Sequence, residues 1–149
     1  MIALACDHAG FALKQDVMDY LDLSGKPYKD FGTHSEESCN YPQFAAPAAR
    51  AVAEGECEFG ILICGTGIGM SIAANKIKGI RAALCRDLFT AEMTRLHNNA
   101  NILVLAARVT DKELALEITD IFFKTGFEGG RHAERLQMLS ELENEWGTR

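Results

Sequence analysis

The chain has 149 residues, 48% hydrophobic and 24% charged, and a formal net charge of −6. This is the length of one compact domain with a sizeable core, and the acidic balance excludes a broad nucleic-acid surface. No apolar run approaches the ~20 residues of a membrane helix. Met1 leads straight into a strand-like IALAC with no charged-then-apolar leader, so a cytoplasmic protein is expected.

Taken in chain order, short apolar runs alternate with longer amphipathic ones. Ile2–Cys6 reads as a buried strand, and Phe11–Leu23 as a helix with apolar residues at helical period, stopped by Gly25. Tyr28–Phe31 is a weaker strand, and Pro42–Glu54 an alanine-rich helix entered through proline. Phe59–Cys64 and Arg81–Cys85 are strands flanking a glycine loop and a helix. Leu88–Leu96 is helical, Ile102–Leu105 a strand, and Asp111–Lys124 and His132–Glu145 are closing helices. Strands with continuous apolar character alternating with helices predict a doubly wound α/β fold, its five-stranded parallel sheet covered on both faces. With no repeat or linker, residues 1–149 are expected to form a single domain whose ligands gather beyond the carboxyl ends of the strands.

The segments at those ends are polar and reactive: Cys6-Asp7-His8-Ala9-Gly10 after the first strand and Cys64-Gly65-Thr66-Gly67-Ile68-Gly69 after the third. His97 and Asn98 precede the fifth strand, and Arg108 follows it. The glycine loop is not a dinucleotide fingerprint, because Met70 stands where the last glycine of G-x-G-x-x-G belongs. No Gly-Lys-Ser/Thr follows, which removes a Walker loop, and Met70 also stands where a phosphatase loop needs arginine. What survives is a loop whose backbone N–H groups, at a helix start, can face an anion.

Five cysteines without a CxxC pair or a His/Cys zinc spacing fit free thiols in a reducing compartment. Cys6, Cys57 and Cys85 read as small buried residues. Cys64 escapes that reading, since the adjacent loop and helix start can stabilise an anion and lower the cost of a thiolate. His8 and His97, each alone, read as core histidines, although Asp7-His8 at a strand end resists full burial. His34 lies in a polar turn and is expected in solvent. Arg131 and Arg135 share a helix face that is either solvated or suited to a phosphate.

CDHAG, NYP, ILICGTGIGMSIAANK, GIRAA, HNNAN and GGRHAERL, in this order over practically the whole chain, resemble type B ribose-5-phosphate isomerase. The resemblance implies a Rossmann-like three-layer sandwich, no metal or organic cofactor, and a homodimer or homotetramer with shared active sites acting on a sugar phosphate. It implies Cys64 as the base moving a proton between C1 and C2. Thr66, with Gly65, Gly67, Ile68, Gly69, Met70 and Ser71, would hold the enediolate and nearby hydroxyls. His97 would assist ring opening, and Asp7, Tyr41 and Asn98 would line the sugar. His8, Arg108, Arg131 and Arg135 would hold the phosphate, the last two from the partner subunit on whose surface the C-terminal helix packs. Three positions depart from the family pattern: Asn40 and Asn99 in place of Asp, and Ala106 in place of a Gly ahead of Arg108. They leave the proton-transfer residues intact and are expected to bear on sugar preference. The rival readings are an isomerase of allose 6-phosphate or galactose 6-phosphate and a non-catalytic sugar-phosphate-binding regulator.

Overall fold

Five strands, β1 (Ile2–Cys6), β2 (Tyr28–Asp30), β3 (Phe59–Cys64), β4 (Ala82–Leu84) and β5 (Ile102–Ala106), form one sheet in the computed structural model, which describes residues 1–146. The spatial order is β2-β1-β3-β5-β4, and every neighbouring pair is parallel. The three central strands are the most apolar because both their faces are covered, whereas edge strands β2 and β4 are short and partly exposed.

Side-chain alternation divides the core in two. On one face Leu4, Ile61, Ile63, Leu103 and Leu105 meet Leu13, Val17 and Leu21 of α1 (Phe11–Leu23), Ala91 of α4 (Leu88–Leu96), and Ile118 and Phe122 of α5 (Lys112–Lys124). On the other, Ala3, Ala5 and Leu62 meet Ala45, Ala48 and Ala49 of α2 (Pro42–Ala53) and Met70 and Ala74 of α3 (Ile68–Ala74). Small residues on both sides let α2 lie close to the sheet, and each large side chain buried in these layers contributes about 1.5–3 kcal/mol. Helix α6 (Arg131–Trp146) is different: Met138, Leu139 and Leu142 are left exposed.

The expected elements are all present, with shifted ends. Arg81 falls outside β4 because its N–H donates to the Asn101 side chain (2.8 Å). Asp111 is the N-cap of α5, its carboxylate accepting from Leu114 N–H (2.9 Å), so the helix begins one residue later than its sequence pattern indicates. Among the described residues, no helix is long and apolar enough to cross a membrane.

Candidate active site

The chain leaves β1 for β2 on one side and reaches β3 on the other, so the ends of β1 and β3 flank the switch point where open α/β sheets bind ligands. At the end of β1, Asp7 N–H donates to Ile63 O (3.1 Å), tying the turn to β3. Asp7 Oδ1 accepts from Ala9 and Gly10 N–H (2.9 and 3.1 Å) and caps the short 3₁₀ turn His8–Gly10. His8 Nδ1 accepts from Cys39 N–H at 3.2 Å. With Nδ1 accepting, Nε2 is left as an N–H donor for a ligand.

Cys64 ends β3 opposite Ala106 of β5. Its carbonyl accepts from Ala107 N–H and that of Gly65 from Arg108 N–H, both at 2.9 Å, so the glycine loop and the arginine after β5 form one unit. A Cβ on Gly65 would stand 3.1–3.3 Å from the Arg108 side chain, which lies along the loop. Gly67 caps α3 at φ +75°, and a Cβ there would collide with the Leu84 side chain. A Cβ on Gly69 would stand 2.8 Å from the Tyr41 ring, so the tyrosine closes down on the helix start.

The result is a cleft of about 190 Å³ lined by Asp7, His8, Ala9, Tyr41, Cys64, Gly65, Thr66, Gly69 and Arg108. The structure thus joins eight of the sequence-predicted residues and adds Ala9, whose position after Asp7-His8 was the available signal. Cys64 is 5% exposed. Its thiol is the one sulfur nucleophile lining the cleft, beside backbone donors and the cation of Arg108.

Other expected residues lie elsewhere. The side chain of Met70 is wholly buried in the core, so only its backbone faces the loop. Ser71 N–H is committed to Gly67 O (3.0 Å) as a helical bond. Ile68, 55% exposed, and Gly67 do not line the cleft. Asn40 is exposed at the entry to α2 and outside the cleft, and Ala106 is buried in β5 with no displacement of Arg108 from Gly65.

His97, Asn98 and Arg135 line a second pocket, of about 470 Å³, together with His132 and the apolar side of α6. Arg131 opens the same helix and is exposed. The loop carrying His97 and Asn98 is clamped from below. Arg81 Nε donates to the carbonyls of Asn98 and Asn99 (3.0 and 3.1 Å), and Arg95 Nη1 donates to Asn99 Oδ1 (2.9 Å). Asn99 sits at φ +43° and therefore serves the clamp.

The His97 and His132 rings stack with centroids 4.2 Å apart and planes 12° from parallel. Glu128 Oε2 stands 3.9 Å from His97 Nε2 and 3.6 Å from His132 Nε2. His132 and Glu128 were missed by sequence reasoning, although His132 lies within the GGRH motif. Burial, then the neighbouring His97, hold the His132 imidazole below its ordinary pKa. These three groups are the set of metal-ligating type among the described residues. Their arrangement suits a metal poorly: stacked rings carry parallel lone pairs that cannot converge on one ion, and Arg131 and Arg135 add positive charge nearby.

A family model described as Ribose/Galactose Isomerase matches residues 2–139. Ribose-5-phosphate isomerase B of Escherichia coli strain K12 is 46% identical over 142 residues, 95% of each chain. D-erythrulose-4-phosphate isomerase of Pectobacterium atrosepticum is 41% identical over 145 residues, 97% of this chain and 95% of its own. The solved structure of Clostridium thermocellum ribose-5-phosphate isomerase B matches with a TM-score of 0.96 and 50% identity, covering 97% of this chain and 98% of that one. With a shared fold, near-complete coverage in both directions and a thiol at the switch point of the sheet, the chain belongs to the ribose/galactose isomerase family.

Proposed function

We propose that the chain is an enzyme interconverting ribose 5-phosphate and ribulose 5-phosphate through an enediolate, in the pentose phosphate pathway of the cytoplasm. The observation that carries this is the cleft itself, where the Cys64 thiol meets the glycine loop, His8 and Arg108. Cys64, as thiolate, takes the proton from C2 of the open aldose, and the electron pair moves to the C1 oxygen. Thr66 and the loop N–H groups stabilise that oxyanion, each such donor being worth about 3–4 kcal/mol in comparable sites. Returning the proton to C1, while the O2 hydroxyl proton passes to O1, gives the ketose. His8 and Arg108 take the phosphate, whose remote binding orients the reacting carbons. Five free thiols fit the reducing setting.

His97, Asn98, Arg131 and Arg135 lie apart from their own chain's cleft in this reading, and they complete the cleft of a second copy in a homodimer. The uncovered Met138, Leu139 and Leu142 of the same helix supply apolar area for that contact. His97 then opens the furanose ring, and the two arginines join His8 and Arg108 on the phosphate.

Purified protein given ribose 5-phosphate is expected to form ribulose 5-phosphate. Cys64→Ala should lower turnover by about a hundredfold or more while retaining substrate affinity, because the thiol acts on a carbon-bound proton. The check is solvent-deuterium incorporation at C2 of the sugar phosphate. Exchange at the wild-type rate in Cys64→Ala would remove Cys64 from the role of base.

A further inference from the structure

We propose that His132 and Glu128 are positioning residues for His97: the His132 ring fixes the plane of the His97 imidazole, and the Glu128 carboxylate faces it as counter-charge when it donates a proton to the furanose ring oxygen. The inference rests on His97 as the ring-opening residue. His132 is the immobile half of the pair, its side chain 7% exposed against 38% for His97. A face stacked at 4.2 Å restricts rotation of the more exposed ring.

The charged or titratable groups around the pair are Glu128, Arg131 and Arg135. Two stacked imidazoles, 4.2 Å apart beside two arginines, carry one proton more readily than two. The buried ring is the less favourable site for it, as the lowered pKa of His132 also indicates. His97, the more exposed ring, is therefore the one placed to donate, and Glu128 is the carboxylate facing both Nε2 atoms. In ring opening the C1–O4 bond breaks with its electron pair passing to O4, His97 gives O4 a proton, and the C1 hydroxyl proton leaves to water. His97 is then reprotonated from solvent.

Two assays separate this step from proton transfer at carbon. Conversion of ribose 5-phosphate requires the ring to open. Deuterium wash-in at C1 of ribulose 5-phosphate does not, because that ketose carries phosphate on the oxygen that would close a furanose. His132→Ala should lower conversion about tenfold with wash-in unchanged, and His132→Phe, which keeps a stacking face, should recover most of the loss. Glu128→Gln should move the loss of conversion with rising pH to lower pH, since the imidazolium loses its counter-charge. Equal losses in both assays for His132→Ala and His132→Phe, or an unmoved pH profile in Glu128→Gln, would overturn the proposal. His97→Ala is the control: if it alone spares wash-in while stopping conversion, only the pairing falls. Should His97→Ala impair both assays equally, the reading of His97 itself falls.

Discussion

Burial pushes the Cys6 thiol up to about 12 and that of Cys85 up to about 11, against an ordinary 9.0, and raises Cys57 as well. A raised folded-state value means that the folded chain keeps protons which the unfolded chain releases. The associated stability is therefore fully present below about 9 and is lost progressively as the pH climbs toward 11–12. Denaturant titrations across that window should show a steep alkaline decline for the wild type and a shallower one for Cys85→Ala. An identical slope would mean that this thiol does not contribute. Cys64 differs from these three because it lines a cleft, and the sequence carried that distinction in the glycines that follow it. The commitments of Met70 and Ser71 were hidden, since which way a helical residue faces depends on where the helix starts. Here Gly67, at positive φ, sets that start.

At the scale of elements, the segment joining α4 to β5 shows how a departure from the family pattern is absorbed. Asn99 holds a left-handed backbone, which asparagine tolerates better than most residues, and its side chain accepts from the buried Arg95. Burial, followed by the charge of Arg81, depresses the pKa of that guanidinium. Asn99→Asp would give it a carboxylate partner and should raise stability by about 1 kcal/mol, read as a higher midpoint in urea. The ratio of kcat/KM for ribose 5-phosphate to that for allose 6-phosphate should stay put, because the side chain faces Arg95; a changed ratio would return Asn99 to the sugar site. Strand and helix existence was legible from apolar period alone. Strand order was not, because β3 could pair with β4 or β5 on apolar character, and the choice lies in packing that no local pattern contains. Likewise, no local pattern measures the distance between the loop before β5 and the end of β3. One expected site therefore resolves into two pockets.

For the whole molecule, two separate half-sites imply sharing between copies under the proposed reading. A Cys64→Ala chain and an Arg131→Ala/Arg135→Ala chain, each inactive alone, should complement when co-refolded at equal concentration. Each mixed dimer holds one doubly damaged site and one intact site, so random pairing should restore about a quarter of wild-type activity. Activity that stays at background, with mixed dimers verified by mass, would confine the arginines to their own subunit's site or to none. The exposed apolar stripe of α6 has a consequence of its own. If Met138, Leu139 and Leu142 are the surface through which copies meet, dilution below the dissociation constant silences the enzyme while every chain stays folded. Catalytic output then rises with the square of chain abundance in that regime, and a cell could set flux by expression level more sharply than a one-chain catalyst allows.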